Sequence, residues 1–184
     1  MESTKAQVKQ PSHLLHHKGD LKMSIGKIRN IGGNSGGGTE ILTPEMTSAT
    51  LPYGVVTSNL TAYSDKYKIF YTIGYRSDAL SFIDNFSQQS GYIRYMFEKP
   101  AKISKIAISL SAENHTSIRK CQLQYIDLDN NLITAYSFDF KPSKLYEWES
   151  FGVVLNNIEA KGIQLYIESN ATYVMGFVAL GRYI

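Results

Sequence analysis

Apolar and polar residues alternate with a period of two along much of the chain beyond residue 100. Ile106, Ile108 and Leu110 are interleaved with Lys105, Ala107 and Ser109; Cys121, Leu123 and Tyr125 with glutamines; Ile163, Leu165 and Ile167 with polar or amphipathic residues. Successive side chains of a strand point to opposite faces, so each run predicts a strand with one face buried and the other turned outward. Asp127-Leu-Asp129-Asn130-Asn131 divides two such runs. Asx-rich turns tolerate positive φ, and 121–127 with 132–140 is therefore expected to form a hairpin. Further strands are expected near 67–73, 91–98, 151–155 and 173–183. Tyr63, Tyr67, Tyr71 and Tyr75 recur every four residues, a spacing that shares one face of a helix or of a strand. Ile69, Phe70, Thr72 and Ile73 favour a strand for the second half of that stretch. Short strands punctuated by Gly, Pro, Asn and Ser predict an all-β, antiparallel sandwich.

The alternation does not extend to the first forty residues. A glycine-rich linker at 32–39 separates a basic arm, 1–31, from the predicted sandwich, 40–184. The arm holds six Lys or Arg against two acids and the rest thirteen against fourteen, so the net charge of +3 belongs to the arm. All 13 tyrosines, all 8 phenylalanines and the single tryptophan lie beyond residue 50, which puts the core there too. The arm's few aliphatics are too sparse for a core of their own, and it is expected to be extended and disordered until docked. Leu14, Leu15, Ile25 and Ile28 are its candidate anchoring points on a partner.

Composition removes several chemistries. Cys121 is the only cysteine, which excludes an internal disulfide, and its alternating setting predicts a small buried strand residue. With His115 as the only histidine beyond the arm, a His/Cys zinc site or a Cys-His pair is not expected in the sandwich. No cofactor and no metal is expected. There is no run of 18 apolar residues, and Lys5, Lys9, His13, His16, His17 and Lys18 occupy the place where an export signal needs an apolar stretch, so neither membrane insertion nor secretion is expected.

Pro44–Ser58, Ser90–Ile108 with its Lys99-Pro100 turn, and the closing Gly176–Ile184 together resemble the discoidin-like, galactose-binding jelly-roll family. That family includes the coagulation-factor type C domains and many carbohydrate-binding modules. The resemblance implies an opening strand and turn, a central strand-turn-strand, and a last strand returning beside the first. Ser81-Phe82 stands where the family often has a tryptophan, and the disulfide that ties the termini of many extracellular members cannot form here. Ser64-Asp65-Lys66 is a poor copy of the family's calcium site, because a lysine brings positive charge where the ion wants oxygen.

In such a fold the loops at one end carry recognition. Sugar binding needs an aromatic face for stacking and planar or charged groups for the hydroxyls. The candidates for ligand binding are Tyr75, Arg76 and Asp78, then Asn114 and His115, and Trp148 between Glu147 and Glu149. The resemblance places the first two groups in loops that bind ligand in carbohydrate-binding modules. Each also has a plain structural explanation: an exposed Arg76–Asp78 ion pair worth about 0–1 kcal/mol, a solvated turn at His115, and a loop-anchoring Trp148. Asp78, Asp84, Glu113, Glu147 and Glu149 could supply a glycosidase pair, but spacing fixes no such geometry, and no catalytic residue is assigned. Four glycosylation sequons, at Asn59, Asn85, Asn114 and Asn170, are expected to be silent without export.

A jelly roll without disulfide or export signal, carried on a basic arm, fits the anchor-plus-head plan of a bacteriophage virion protein such as a head fibre, decoration protein or tail adhesin. The expectation is a non-enzymatic, homo-oligomeric virion component, made in the host cytoplasm, its arm on capsid or tail proteins and its head binding a cell-surface glycan. The alternatives are a carbohydrate-binding accessory module of a polysaccharide-degrading system, or a structural oligomer without ligand. Nucleic acid is not the expected partner, because the near-neutral body offers no basic face to continue the arm's charge.

Overall fold

The computed structural model describes residues 39–60, 66–70, 81–83, 90–112, 118–141, 149–168 and 172–184. The arm, with Leu14, Leu15, Ile25 and Ile28, and the linker up to residue 38 lie outside the described residues, as do Tyr63, Tyr71 and Tyr75. Among the described residues, eight strands form one hydrogen-bonded antiparallel network: β1 (Glu40–Ile41), β2 (Val55–Ser58), β3 (Ser81–Ile83), β4 (Ser90–Ala112), β5 (Arg119–Ile126), β6 (Leu132–Phe140), β7 (Glu149–Glu168) and β8 (Thr172–Tyr183). Their order is β1-β8-β4-β7-β5-β6, with β2 on β4 and β3 on β8. No α-helix occurs among the described residues.

The long strands β4 and β7 turn this network into two layers. The first half of β4 pairs with β2 and with the second half of β7, which continues into β5 and β6. The second half of β4 pairs with β8 and with the first half of β7. The crossing point is an irregularity: Met96 opposes Gly162 and Ala101 opposes Ala160, leaving Phe97, Glu98, Lys99 and Pro100 without partners on β7. Proline has no N–H for a ladder, so it sits where the ladder is already broken. The turn expected at Lys99-Pro100 is thus a bulge within one strand rather than a break between two. Likewise 151–155 and 163–167 are two ends of β7.

Both layers line one core. Ile93, Tyr95 and Phe97 from the first half of β4, Ile103, Ile106, Ile108 and Leu110 from its second half, and Cys121, Leu123, Ile163, Leu165, Ile167 and Phe177 belong to a single buried cluster. Phe138 of β6 stacks on Phe151 of β7 at 4.2 Å between ring centroids, although the two strands are not paired. Phe70 touches Tyr95 at 5.1 Å and Phe177 at 5.6 Å, one ring in each layer. Burying such rings and aliphatics at about 25 cal/mol per Å² is the main force holding the layers together.

Three local expectations meet the structure differently. The hairpin forms as read: Asn130 has φ 68°, and Asp127 Oδ1 accepts the N–H groups of Asp129 (2.9 Å) and Asn131 (2.7 Å). The strand expected over 67–73 does not hold in its described part, where Lys66–Ile69 is a 3-10 turn and Phe70 makes only an isolated bridge to Phe177. The packing of Ile69 and Phe70 into the core overrides their strand preference, since they plug the gap between layers rather than extend a sheet. The last strand does return beside the start of the domain, through Glu40↔Gly181 and Ile41↔Leu180, whereas Val55–Ser58 of the expected opening strand pairs with β4 instead. Tyr183 Oη donates to the Leu42 carbonyl at 2.9 Å and so helps to hold the two ends of the domain together.

Candidate functional site

Every ligand-binding residue expected from the sequence, Tyr75, Arg76, Asp78, Asn114, His115 and Trp148, lies outside the described residues. Of the candidate carboxylates only Glu149 is described, half-buried at the start of β7 opposite Leu110. Asn59, the described sequon asparagine, uses its side-chain oxygen to accept the Tyr92 N–H at 2.7 Å. Among the described residues no three His, Cys, Asp or Glu side chains gather as a metal site, and no helix is long and apolar enough to cross a membrane.

The structure instead builds a polar surface on the strands. Ile93 and Tyr95, Cys121 and Leu123, and Ile163, Leu165 and Ile167 point into the core. Their alternates on β4, β7 and β5 must therefore share the opposite face, where antiparallel register lines them up in rows with residues of β6. One row is Arg94, Gln164, Gln124 and Thr134. The next is Tyr92, Tyr166, Gln122 and Ser137, and beyond it stand Ser90, Glu168, Lys120 and Asp139. On the other side lie Met96, Gly162, Ile126 and Leu132. A Cβ on Gly162 would meet Met96 Sδ at 2.9 Å and Ile126 Cδ1 at 3.2 Å, so the glycine lets these two apolar side chains close that end of the face.

The first row is a continuous hydrogen-bonded belt. Arg94 Nε donates to Gln164 Oε1 (2.8 Å), Gln164 Nε2 to Gln124 Oε1 (2.7 Å), and Gln124 Nε2 to Gln122 Oε1 (2.8 Å) and Thr134 Oγ1 (3.2 Å). Gln164 and Gln124 are only 3% and 7% exposed, so the belt fixes their amides in one orientation, as a buried polar network must. The Arg94 guanidinium lies 5.1 Å over the Tyr92 ring. That cation–π contact covers Tyr92 and leaves the half-buried Tyr166 as the aromatic member of the row. Beside it is a depression of about 400 Å³ lined by Lys120, Gln122, Ser137, Asp139, Tyr166 and Glu168.

Cys121 borders this depression from within the core layer. It is 1% exposed, and burial pushes its thiol up to about 12, so it is a packing residue, as its alternation implies, and not a nucleophile. Arg119, also buried on the inner face, lies 5.9 Å over Phe140, and burial pulls its pKa down from the ordinary value. Its charge therefore faces the core and not the platform.

What the arrangement can do is hold hydroxyl groups. Amides present donor and acceptor together, tyrosine offers an apolar ring with a polar tip, and the rim carries one ammonium between two carboxylates. From the sequence, the glutamines that alternate with Cys121, Leu123 and Tyr125 are legible only as the outward face of a strand. Their residue type alone carries no signal, because the same face also holds Arg94, Lys120, Asp139 and Glu168, as a solvated face would.

No known protein family and no curated protein matches this sequence. Solved structures do match the fold. The family 32 carbohydrate-binding module of C. perfringens NanJ, in complex with galactose, superposes with a TM-score of 0.52 at 13% identity, over 69% of this chain and 93% of that one. A family 29 carbohydrate-binding module, CBM29-2, gives 0.50 at 8% identity over 79% and 87%. The GH29 fucosidase of Ruminococcus gnavus in complex with fucose gives 0.51 at 10% identity, over 71% of this chain but 25% of the enzyme. The galactose-binding-like β-sandwich expected from the sequence is therefore the fold of this chain.

Proposed function

We propose that this chain is a non-catalytic glycan-binding β-sandwich whose sugar platform is the outer face of β4, β7, β5 and β6. The observation that carries the reading is the Tyr166 ring beside the depression, flanked by amides already held in position by the Arg94–Gln164–Gln124–Thr134 belt. A pyranose stacks its apolar face on an aromatic ring and turns its hydroxyls to amides and carboxylates, and both requirements are met within two adjacent rows of strand residues. The complex of the NanJ module, which has the same fold, with galactose supports the reading. The residues that border the depression offer a ring for stacking and hydrogen bonds to hydroxyls, which is why binding is proposed.

Retention of the full-length protein on a glycan array or on immobilised polysaccharide tests it. Tyr166→Ala should lower affinity about tenfold, about 1.4 kcal/mol, near the upper end of an aromatic contact, with unchanged circular dichroism. Equal retention by the wild type and this variant would place binding elsewhere and sink the platform.

The setting of this platform is a finer proposal. Display from a phage particle, with Leu14, Leu15, Ile25 and Ile28 docked on capsid or tail proteins and several copies assembled together, draws on the arm's charge and composition. The solved structures named above are carbohydrate-binding modules and a fucosidase, none of them a virion component. An accessory module in a polysaccharide-degrading system is supported equally by the fold. Full-length protein and a chain beginning at Thr39, each offered to particles stripped of this protein, separate the two settings: only the virion setting expects arm-dependent particle binding.

A further inference from the structure

The charge pattern of the platform specifies the class of glycan, if the face is the sugar site proposed above. Among the described residues it carries two cations, Arg94 and Lys120, and two anions, Glu168 and Asp139. The cations are not equivalent. Arg94 is already committed, its Nε to Gln164 and its guanidinium to the Tyr92 ring. Lys120 is the remaining positive group, and by register it stands between Glu168 on β7 and Asp139 on β6, both exposed. The row that borders the depression is therefore net negative by one charge. Everything else that lines the platform, Gln122, Gln124, Gln164, Thr134, Ser137, Tyr92 and Tyr166, is neutral.

The shape adds a second constraint. The two rows that border the depression cross four strands, three spacings of about 4.8 Å, so that part of the face is about 14 Å long, room for about three linked pyranoses. The Met96–Gly162–Ile126 contact closes one side of the face, while the rows themselves end at the edge strand β6 in exposed Thr134, Ser137 and Asp139.

We infer that the platform takes an internal stretch of a neutral polysaccharide and rejects chains of uronic acids. A uronate carboxylate at the depression would lie beside Glu168 and Asp139 with Lys120 as its one counter-ion, and like charges at that range raise the cost of binding. A neutral hexose meets hydrogen-bonding partners without that cost, and neutral neighbours on the chain can lie along the row of Tyr166, Gln122 and Ser137.

The test is retention of full-length protein in affinity gels containing galactan, galactomannan, polygalacturonate or polymannuronate, with titration of neutral oligosaccharides from two to six units. The expected result is binding to at least one neutral polymer, affinity that rises to about three sugars and then levels, and no retention by either polyuronate. The doubly substituted Glu168→Lys/Asp139→Lys protein, altered only at exposed positions, should gain polyuronate retention at least tenfold at low salt. Wild-type protein that binds a polyuronate as well as or better than the neutral polymers overturns the inference and leaves glycan binding standing. Wild-type protein that binds none of the polymers overturns both.

Discussion

Truncation of Gln164 gives the sharpest test of the belt. Gln164→Ala removes the donor at 2.7 Å from Gln124 Oε1 and the acceptor at 2.8 Å from Arg94 Nε. Arg94 is half-exposed and water can replace what it loses, so its share is small. Gln124 is 7% exposed, and its orphaned carbonyl bears a desolvation penalty of about 1–3 kcal/mol on top of the lost bond's net ~1 kcal/mol. The single variant should cost about 2–4 kcal/mol. Gln124→Ala should cost a similar amount, because it orphans the Gln164 amide in turn. Both variants lose the same bond, so the double variant should be less destabilised than the sum of the singles by about 1–2 kcal/mol. Urea unfolding followed by tyrosine fluorescence reads these differences as shifts in midpoint at constant slope. Singles that each cost under about 0.5 kcal/mol, or a double that is additive within about 0.5 kcal/mol, would refute the belt as a coupled network.

Other outcomes follow from single features. Cys121, with its thiol pushed up to about 12, should resist alkylation at pH 8 in the native state, where about one thiol in ten thousand is ionised, and react at the rate of unfolding; rapid native-state labelling would contradict its burial. Burial pushes Tyr183 up to about 12 and Tyr95 higher still, so their neutral forms favour the fold below the usual value of 10.0 and that stability is lost as pH rises from there through 12. Alkaline unfolding should accordingly begin above pH 10 and be less steep in Tyr183→Phe. Asp127 is held below its usual 3.8 by the Asn131 side chain and by backbone N–H groups, so its contribution is present above that pH and lost as pH falls below it; Asp127→Asn should flatten the acid limb of the midpoint curve. Gly54 has φ +82°, and a Cβ there would fall on the Tyr95 hydroxyl and 2.7 Å from the Met96 carbonyl, so Gly54→Ala should destabilise by more than about 1 kcal/mol.

The sandwich was legible wherever one face of a strand is purely apolar. Ile163-x-Leu165-x-Ile167 could only be a half-buried strand, and Asp127 with Asn130 and Asn131 could only be a turn, because their side chains satisfy the backbone that the turn exposes. Ile106-x-Ile108-x-Leu110 is a strand as its alternation implies, but Ala107 and Ser109 between them are buried too, so both of its faces are covered and not one. Lengths were not legible. Lys99-Pro100 breaks a ladder whether the chain turns or bulges, and only the pairing of Ala101 with Ala160 shows that β4 continues. Ile69 and Phe70 have strand propensity, yet a plug between two layers needs bulk and not register, so a 3-10 turn supplies it. The platform was hidden for a different reason. It is assembled from residues as far apart as Arg94 and Gln164, joined only by register, and a glutamine on an alternating strand reads the same whether it faces water or a neighbouring amide.

That ambiguity divides the platform into two kinds of residue. Gln124 and Gln164 are nearly inaccessible and spend their hydrogen bonds on one another, on Arg94 and on Gln122 and Thr134, so they act as positioning residues that a sugar scarcely touches. Tyr166, Gln122, Ser137 and the rim charges border the open depression and would make the contacts. Preorganisation of this kind lowers the ordering cost of binding, because the amide of Gln122 is held by Gln124 Nε2 before a ligand arrives. Substitutions in the two groups should therefore separate: changes at Gln124 or Gln164 should lower stability and affinity together, while changes at Tyr166 or Ser137 should lower affinity at constant stability. A platform whose contact residues could be changed without loss of affinity, while its buried amides still mattered for folding, would be scaffolding alone.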